Sequence, residues 1–250
     1  MSKNCLNCDF EINSNFCPNC GQKTTVHQYS IKHFIEHDLV HGFWHVDKGV
    51  LYTIKAMFTA PGHNVREFIL GKRAKLFSFF SLLLIIIGVS HFIGSYSNFR
   101  ISDIMPDSSG GFMKDFEDIT KKNPKLVLLM TIPFYSIFTF FWFKKAKLNL
   151  TEHFVLNSYR TAGELIITTL FTLITVFYTN ITGLGFIFSV ISLCSYIYSF
   201  WFYRQFFSAY GFTKRSLITK SILSVCSYFF LSFVIGIILG ISKLIKHSII

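Results

Sequence analysis

Five long apolar stretches limit what this 250-residue chain can fold into. A helix needs about 20 mostly apolar residues to cross the hydrocarbon core of a bilayer. Apolar residues make up 51% of the chain and charged residues only 15%, against about 25% charged in a soluble domain. The sequence therefore predicts an all-α polytopic membrane protein with a membrane domain over 76–242 and a short tail at 243–250. Its five transmembrane helices are predicted at residues 76–96, 126–143, 165–182, 184–203 and 222–241.

The charges of the connecting segments predict the orientation of these spans. Cytoplasmic loops of membrane proteins carry an excess of Lys and Arg. The segment after the second span begins Lys-Lys-Ala-Lys at 144–147, and the segment after the fourth holds four cations and no acid. Segment 98–124 has four cations and five acids, a net charge of −1. We therefore expect a cytoplasmic N-terminus, although Lys243 and Lys246 in the predicted external tail weigh weakly against it.

Four cysteines near the N-terminus have the spacing C-x2-C-x8-C-x2-C. Each C-x2-C turn offers two sulfur ligands from one loop, and four thiolates satisfy tetrahedral Zn²⁺. Reduced cytoplasmic thiols favour metal over disulfides, and a thioredoxin-like redox pair would need a βαβ unit that so short a segment cannot supply. Residues 1–24 are predicted to form a small cytoplasmic zinc ribbon whose ligands are Cys5, Cys8, Cys17 and Cys20.

The charge of this ribbon bears on its partner. Residues 1–30 contain Lys3 and Lys23 against Asp9 and Glu11, a net charge of zero. Four thiolates with Zn²⁺ make the ribbon more negative still, whereas a module that binds nucleic-acid phosphates should be basic. We therefore expect no nucleic-acid partner, and instead docking to a protein or to the chain's own cytoplasmic surface.

Residues 25–75 are predicted to form cytoplasmic and interfacial amphipathic helices. Segment 49–60 is apolar, but Pro61-Gly62 ends it before it is long enough to span, and such a segment suits the membrane interface. The preceding part holds a histidine ladder whose i,i+4 spacing places neighbours on one helical face. The ladder is either a polar interfacial face or a second metal or pH-sensing site, formed by His33, His37, His41 and His45.

A polar stripe leads into and along the third predicted span. Its first members recur at 4, 3 and 4 residues, which keeps them on one face of a helix. Ionisable groups in a membrane are costly and face protein or water. Helix packing, with Arg160 and Glu164 paired on one face, and a ligand or ion path both explain the stripe. The predicted intramembrane polar site comprises His153, Asn157, Arg160 and Glu164, with His91 of the first span as a further member.

Small residues recur every four positions in the fifth predicted span. Small-x3-small patterns allow helices to approach closely. We expect an assembly seam there, within the chain or between copies of a homo-oligomer, formed by Ser232, Gly236 and Gly240.

Several motifs follow one another along the chain. The C-P-N-C-G-Q ribbon is followed by Asp47-Lys48-Gly49, by Pro61-Gly62 with an R-E-x-x-x-G-K-R block ending at Arg73, and by Leu150-Thr151-Glu152-His153. Together they resemble a family of bacterial membrane proteins catalogued as domain of unknown function 3667. The resemblance implies an N-terminal zinc ribbon and a multi-span body, and it implies no activity. We expect the chain in the bacterial cytoplasmic (inner) membrane.

A cluster of cations lies just before the first predicted span. The net charge of the whole chain is +11, and basic residues at a membrane surface attract anionic lipid headgroups. Headgroup contact is therefore predicted for Arg66, Lys72, Arg73 and Lys75.

No catalytic motif accompanies these features. The sequence has no P-loop, no G-x-G-x-x-G after a strand, no G-x-S-x-G and no H-E-x-x-H, the motifs that carry phosphate binding, nucleophilic catalysis and zinc-dependent hydrolysis. We expect a non-enzymatic scaffold or recruitment factor that uses the ribbon. The alternative is a small transporter or lipid-handling protein with a polar path along the third span, and a metal sensor based on the histidine ladder is a third hypothesis.

Overall fold

A small β-ribbon precedes a helical body in the computed structural model, which describes residues 3–25, 49–97, 99–104, 124–227 and 230. In the ribbon, β1 (Lys3–Asn4) pairs antiparallel with β2 (Glu11–Ile12). The rest of the described chain is mostly helical, as the sequence predicts. The helices are α1 (Gly49–Thr59), α2 (Pro61–Ile69), α3 (Phe79–Gly94), α4 (Pro124–Trp142), α5 (Leu150–Phe177), α6 (Ile181–Phe207) and α7, which is helical over 214–227.

Two helices of the described chain, α5 and α6, are long and apolar enough to cross a membrane. Their 28 and 27 residues exceed the length that a bilayer requires, which supports membrane association. Helix α3 lies in the first predicted span but has only 16 residues, and α4 lies in the second. Most of the fifth predicted span falls outside the described residues. Two of the five predicted spans are therefore supported.

Helix α5 begins 15 residues before the predicted start of the third span. Asn149 caps it, because the Asn149 side chain accepts a hydrogen bond from Glu152 N at 2.8 Å and Asn149 N donates to Glu152 Oε2 at 2.8 Å. This reciprocal pair is a capping box. Hydropathy places the start too late because residues 150–164 are rich in polar side chains. Helices α5 and α6 form a helical hairpin, with its turn at residues 178–180.

Helix α2 packs on the C-terminal end of α6, and each helix caps the other. Gly62 N donates to Gln205 Oε1 at 2.8 Å, which satisfies a free N–H at the start of α2. In return, the Arg66 guanidinium donates to the carbonyl oxygens of Gln205 and Phe206 at 3.3 Å. The first N–H groups and last carbonyls of a helix have no partner within it, and a cation there also offsets the helix dipole. These contacts therefore fix α2 against α6.

The core of the body lies where α2, α3, α5 and α6 meet. Tyr159 of α5 is fully buried, and its ring contacts Phe68 of α2 edge-on at 5.3 Å and Phe79 of α3 at 6.1 Å. Its hydroxyl donates to Phe77 O at 2.6 Å, at the residue where the chain enters α3. A single aromatic side chain thus joins three helices, with its polar end satisfied.

Helix α1 is attached to this core along one side only. Thr53 is buried, donates to Gly49 O at 2.7 Å and accepts from Phe77 N at 2.8 Å. On the other side Leu51 is 78% exposed. The structure thus agrees with an amphipathic α1, and its placement at the membrane interface stays a prediction.

We expect Gly62→Ala to weaken the packing of α2 on α6. A Cβ at this position would lie 2.9 Å from the carbonyl carbon of Gln205 and closer still to Phe206 N and Phe202 O. These are backbone atoms that cannot move aside, so a loss of about 1–3 kcal/mol is expected. Thermal unfolding of the detergent-solubilised protein measures it. Gly88→Ala in α3 is the control, because its Cβ would meet no described atom within 4 Å; equal melting temperatures for the two variants would contradict the close approach.

Candidate metal centre and buried polar cluster

The four N-terminal cysteines converge on one point. Their sulfur atoms all lie within 4.8 Å of one another, with Cys5 to Cys20 at 3.6 Å and Cys8 to Cys17 at 3.5 Å. A tetrahedral ion with metal–sulfur bonds of about 2.3 Å separates its ligands by about 3.8 Å. The residues therefore fit a metal ion, and the four cysteines could bind one.

The ribbon builds this centre from two similar loops. In the first, Cys5 N donates to Phe10 O and Asp9 N donates to Cys5 O, both at 2.9 Å. In the second, Cys17 N donates to Gln22 O and Gly21 N donates to Cys17 O, both at 2.8 Å. The corresponding residues Asp9 and Gly21 both have positive φ, at 58° and 71°, a conformation that glycine adopts freely and Asp tolerates. Each loop therefore directs its two sulfurs inward in the same way.

The thiols of the second loop differ in acidity. Burial raises the pKa of Cys17 to about 11, whereas the backbone hydrogen bond from Gln22 lowers the pKa of Cys20 to about 7. Metal ligation requires the thiolate. Cys20 therefore already offers a thiolate near neutral pH, and Cys17 loses its proton as the metal binds.

Gln22 connects the ribbon to the helical body. Its side chain is buried, and Nε2 donates to Gly71 O at 2.8 Å. The side-chain oxygen accepts from Arg73 N at 2.8 Å and from Ala74 N at 3.1 Å. A primary amide thus satisfies three backbone groups of the loop between α2 and α3. Gln22 is the last residue of the C-P-N-C-G-Q motif, and the motif alone does not predict this contact.

The predicted headgroup residues divide into two pairs. Arg66 is bound to the end of α6, as described above, and Arg73 donates to Phe68 O at 3.4 Å. Both guanidinium groups therefore stabilise the fold. Lys72 pairs with Glu67 at 3.0 Å and stays about half exposed, and Lys75 is exposed. The two lysines are the members of this set that remain accessible.

A second cluster lies within the body, around Arg160 of α5. The Arg160 side chain is only 1% exposed and pairs with Glu164 Oε1 at 2.6 Å. Its guanidinium also donates to Ser199 of α6 at 3.2 Å, and the Ser199 hydroxyl donates to Glu164. The guanidinium carbon lies 3.9 Å from the ring centroid of Tyr135 in α4. A buried cation is thus neutralised by a carboxylate and covered by an aromatic face.

The cluster continues toward the start of α5 as a chain of hydrogen bonds. Tyr203 donates to Asn157 Oδ1 at 2.7 Å, and Asn157 Nδ2 donates to Thr139 Oγ1 at 2.9 Å. His153 Nδ1 lies 3.0 Å from the same Thr139 oxygen. The Tyr203 ring also lies 5.6 Å from the Arg160 guanidinium carbon, so the two halves of the cluster are in contact. The structure therefore brings together His153, Asn157, Arg160 and Glu164.

Three buried polar atoms near the Arg160–Glu164 pair have no hydrogen-bond partner in the described chain: Arg160 Nε, Ser195 Oγ and Tyr198 Oη. Ser195 lies one turn before Ser199 on α6, and the Tyr198 ring packs closely on Gly163 of α5. Buried polar groups are almost always bonded to protein or water. A further polar group that enters the cluster could therefore form hydrogen bonds with these three atoms.

His91 does not join the cluster. Its side chain is exposed on α3, and among the described residues it forms no hydrogen bond with His153, Asn157, Arg160 or Glu164. Further along α5 the stripe also leaves the buried face, since Thr168 is exposed. The buried polar face thus ends near Glu164, except that Thr175 contacts Ser97 at 2.7 Å.

Residues missed by the sequence analysis complete the cluster. Tyr135 and Thr139 come from α4, and Ser199 and Tyr203 come from α6. The only available signal was that polar residues interrupt apolar spans, which does not identify their contacts. The histidine ladder of His33, His37, His41 and His45 and the seam of Ser232, Gly236 and Gly240 lie outside the described residues.

The comparison with protein families locates one match within this framework. A model of the family described as a protein of unknown function (DUF3667) matches residues 47–90. The matched segment covers α1, α2 and most of α3, and the match confirms the resemblance there. It includes the loop that Gln22 contacts, and the ribbon lies outside it. No curated protein and no solved structure matches the chain.

We expect Gln22→Ala to release the ribbon from the body without removing the metal ligands. The variant loses three hydrogen bonds to the Gly71–Ala74 loop, so the Arg73 and Ala74 amides should exchange with solvent at least about tenfold faster. Hydrogen exchange of the full chain measures this. Lys23→Ala, at the exposed next position, is the control. Unchanged protection of residues 71–74 in the Gln22 variant would contradict the docking contact.

Proposed function

We propose that this chain is a multi-pass protein of the bacterial inner membrane that acts as a non-enzymatic scaffold or recruitment factor, with a zinc ribbon on its cytoplasmic side. The observation that carries this proposal is the docked ribbon. Gln22 holds one side of it on the helical body, while Leu6, Phe10 and Phe16 on the ribbon are 49%, 47% and 58% exposed. A module that is held rigidly and presents apolar side chains is suited to binding a protein.

Zinc is the metal that this ligand set favours. Four cysteines closing a tetrahedron leave no open position for a substrate or an activated water, which is the arrangement of structural zinc sites. The apolar core of the ribbon is very small, consisting of Cys5, Ile12 and Cys17 with the other two cysteines packed against it. The ion is therefore expected to supply most of the stability of the ribbon.

The charge of the ribbon supports a protein as its partner. Glu11 and Asp9 balance Lys23 and Lys3, and bound zinc leaves the centre negative, so the module does not attract nucleic-acid phosphates. The remaining elements of the proposal are five spans, contact of the lysines near α3 with lipid headgroups, and assembly through Ser232, Gly236 and Gly240. A second metal or pH-sensing site at the histidine ladder stays a prediction.

Metal analysis of the purified full chain tests the ribbon. We expect one zinc per chain in the wild type and none in Cys17→Ser/Cys20→Ser, because two ligands cannot hold the ion at a structural site. Cys194→Ser/Cys226→Ser is the matched control, since both of these cysteines are exposed on helices. Equal zinc in the two double variants would show that the ion is bound elsewhere.

Recruitment is tested by cross-linking in the native membrane. Leu6→Ser/Phe10→Ser/Phe16→Ser should keep zinc, since none of the three is a ligand, and should lose the cross-linked partner. Leu51→Ser, 78% exposed on α1, is the control outside the ribbon. A partner that cross-links equally to the wild type, the triple variant and the zinc-free variant would exclude recruitment by the ribbon.

A second candidate function is a transporter or lipid-handling protein, and the buried cluster favours it. Intramembrane ionisable residues commonly mark substrate or ion paths. Arg160 and Glu164 face each other within α5, Glu164 is 23% exposed, and three unpartnered polar atoms lie nearby. A polar group that enters beside Glu164 would find bonding capacity there.

Measuring protein stability and phospholipid movement separately distinguishes this candidate from a role of the Arg160–Glu164 pair in helix packing alone. Glu164→Gln leaves the Arg160 charge unpaired and should cost about 3 kcal/mol or more, whereas Arg160→Met/Glu164→Met replaces the pair by apolar groups and should restore stability. Thermal unfolding measures both. Liposomes with fluorescent phospholipid then report movement: loss in the stable double variant supports a path, and wild-type movement in that variant assigns the pair to packing alone.

A further inference from the structure

A small, partly open cavity of about 110 Å³ lies between the docked ribbon and the helical body. From the ribbon, Asn7 lines it, and the body contributes Tyr52 of α1, Asn64 and Glu67 of α2, and Lys72 and Lys75 of the following loop. The cavity is thus formed by both parts of the chain. It is distinct from the metal centre and from the cluster around Arg160.

We propose that this cavity binds a phosphate group, carried by a lipid headgroup or free in solution. Its lining has two ammonium groups and one carboxylate, a net charge of +1 on its ionised side chains. Amide and phenol groups add neutral hydrogen-bonding capacity. Phosphate oxygens are strong acceptors that bind lysine ammonium groups and side-chain N–H and O–H donors.

Glu67 neutralises only one of the two lysines. Its carboxylate pairs with Lys72 at 3.0 Å, and both side chains of this pair stay about half exposed. Lys75 also lines the cavity, three residues later in the chain. One phosphate oxygen between the two ammonium groups would complete the charge balance. The single carboxylate favours a group of low negative charge, such as a phosphodiester, over a highly charged polyphosphate.

The size and place of the cavity also fit such a group. Pockets that enclose a drug-sized molecule have volumes of about 300–1,000 Å³, so this cavity suits a compact group. It lies beside the loop that leads into the apolar helix α3, and headgroup phosphates lie at the ends of membrane helices. The other two cations of the predicted headgroup set are bonded to backbone carbonyls within the fold, so the site assigns this role to Lys72 and Lys75.

The ribbon must be in place for the cavity to be complete. Asn7 lies between the candidate metal ligands Cys5 and Cys8. Gln22 holds the ribbon against the loop that carries Lys72. Loss of the metal would therefore remove one wall of the cavity. This inference rests on the headgroup contact named in the proposed function and is separate from recruitment, because the ribbon residue that lines the cavity is Asn7 and not Leu6, Phe10 or Phe16.

Calorimetric titration of the zinc-loaded full chain in a phosphate-free detergent tests the proposal. The probes are inorganic phosphate, dihexanoyl phosphatidylglycerol, and dihexanoylglycerol, which lacks the phosphate. We expect one site per chain for a phosphate-bearing probe and none for dihexanoylglycerol. Lys72→Gln/Lys75→Gln should weaken binding at least about tenfold, since each lysine supplies a charged hydrogen bond. Lys144→Gln/Lys147→Gln, two exposed cations outside the cavity, is the matched control and should bind within about twofold of the wild type.

The outcomes separate the sources of the phosphate. Binding of the lipid alone identifies a headgroup, and equal binding of inorganic phosphate identifies the free ion; either supports the site. Asn7→Ala, which keeps all four metal ligands, should weaken binding several-fold. Binding by neither phosphate probe, or equal affinity of the cavity and control double variants, would overturn the proposal. Wild-type affinity in both zinc-free protein and Asn7→Ala would overturn the part played by the ribbon.

Discussion

The Arg160 guanidinium carries a full charge into the centre of the helical body, and side chains of the surrounding helices pair with this charge and cover it. A buried, unpaired charge costs several kcal/mol, so α5 supplies Glu164 one turn away and α6 supplies Ser199, which bonds to both. Tyr135 of α4 covers the open face of the cation. The positions of α4 and α6 along α5 are fixed as a result, because a shift of either helix would separate several bonded groups at once.

Backbone groups also have to be paired where α2 packs on the end of α6. Helix ends have free N–H and carbonyl groups, and a site away from water must satisfy them from within the protein. Gln205 and Arg66 do this reciprocally for α2 and α6, and Gly62 permits the close approach that these bonds need. The family-matched segment 47–90 is thereby joined to the α5–α6 hairpin at one end and, through Gln22, to the ribbon at the other.

Short-range spacing in the sequence predicted the features that depend only on the geometry of one loop or one helix. The spacing of the cysteines fixed their convergence, because two C-x2-C loops with a left-handed residue after each second cysteine bring four sulfurs together. The 4-3-4 spacing placed His153, Asn157, Arg160 and Glu164 on one face of α5. Non-local contacts were not predictable: Thr139 and Tyr203 are ordinary polar interruptions of apolar runs until the helices pack. The third span was predicted to start only at residue 165 because hydropathy averages treat polar residues as a break, whereas the Asn149 capping box and a buried polar face both allow the helix to start at Leu150.

The ribbon is the part of the chain whose order depends on something other than packing. Its apolar core is too small to repay the conformational entropy of some 20 residues, so a metal ion held by the four cysteines would contribute most of the free energy of folding. Gln22 extends that order beyond the ribbon, because its side-chain amide forms three hydrogen bonds with backbone groups of the loop before α3. Its position depends on the second cysteine loop, in which the Gln22 carbonyl accepts from Cys17 N. Metal binding by the cysteines would therefore be linked thermodynamically to the conformation of residues 71–74. Whatever stabilises that loop against α2 would raise the affinity of the four cysteines for metal, and metal binding would order the loop by the same free energy.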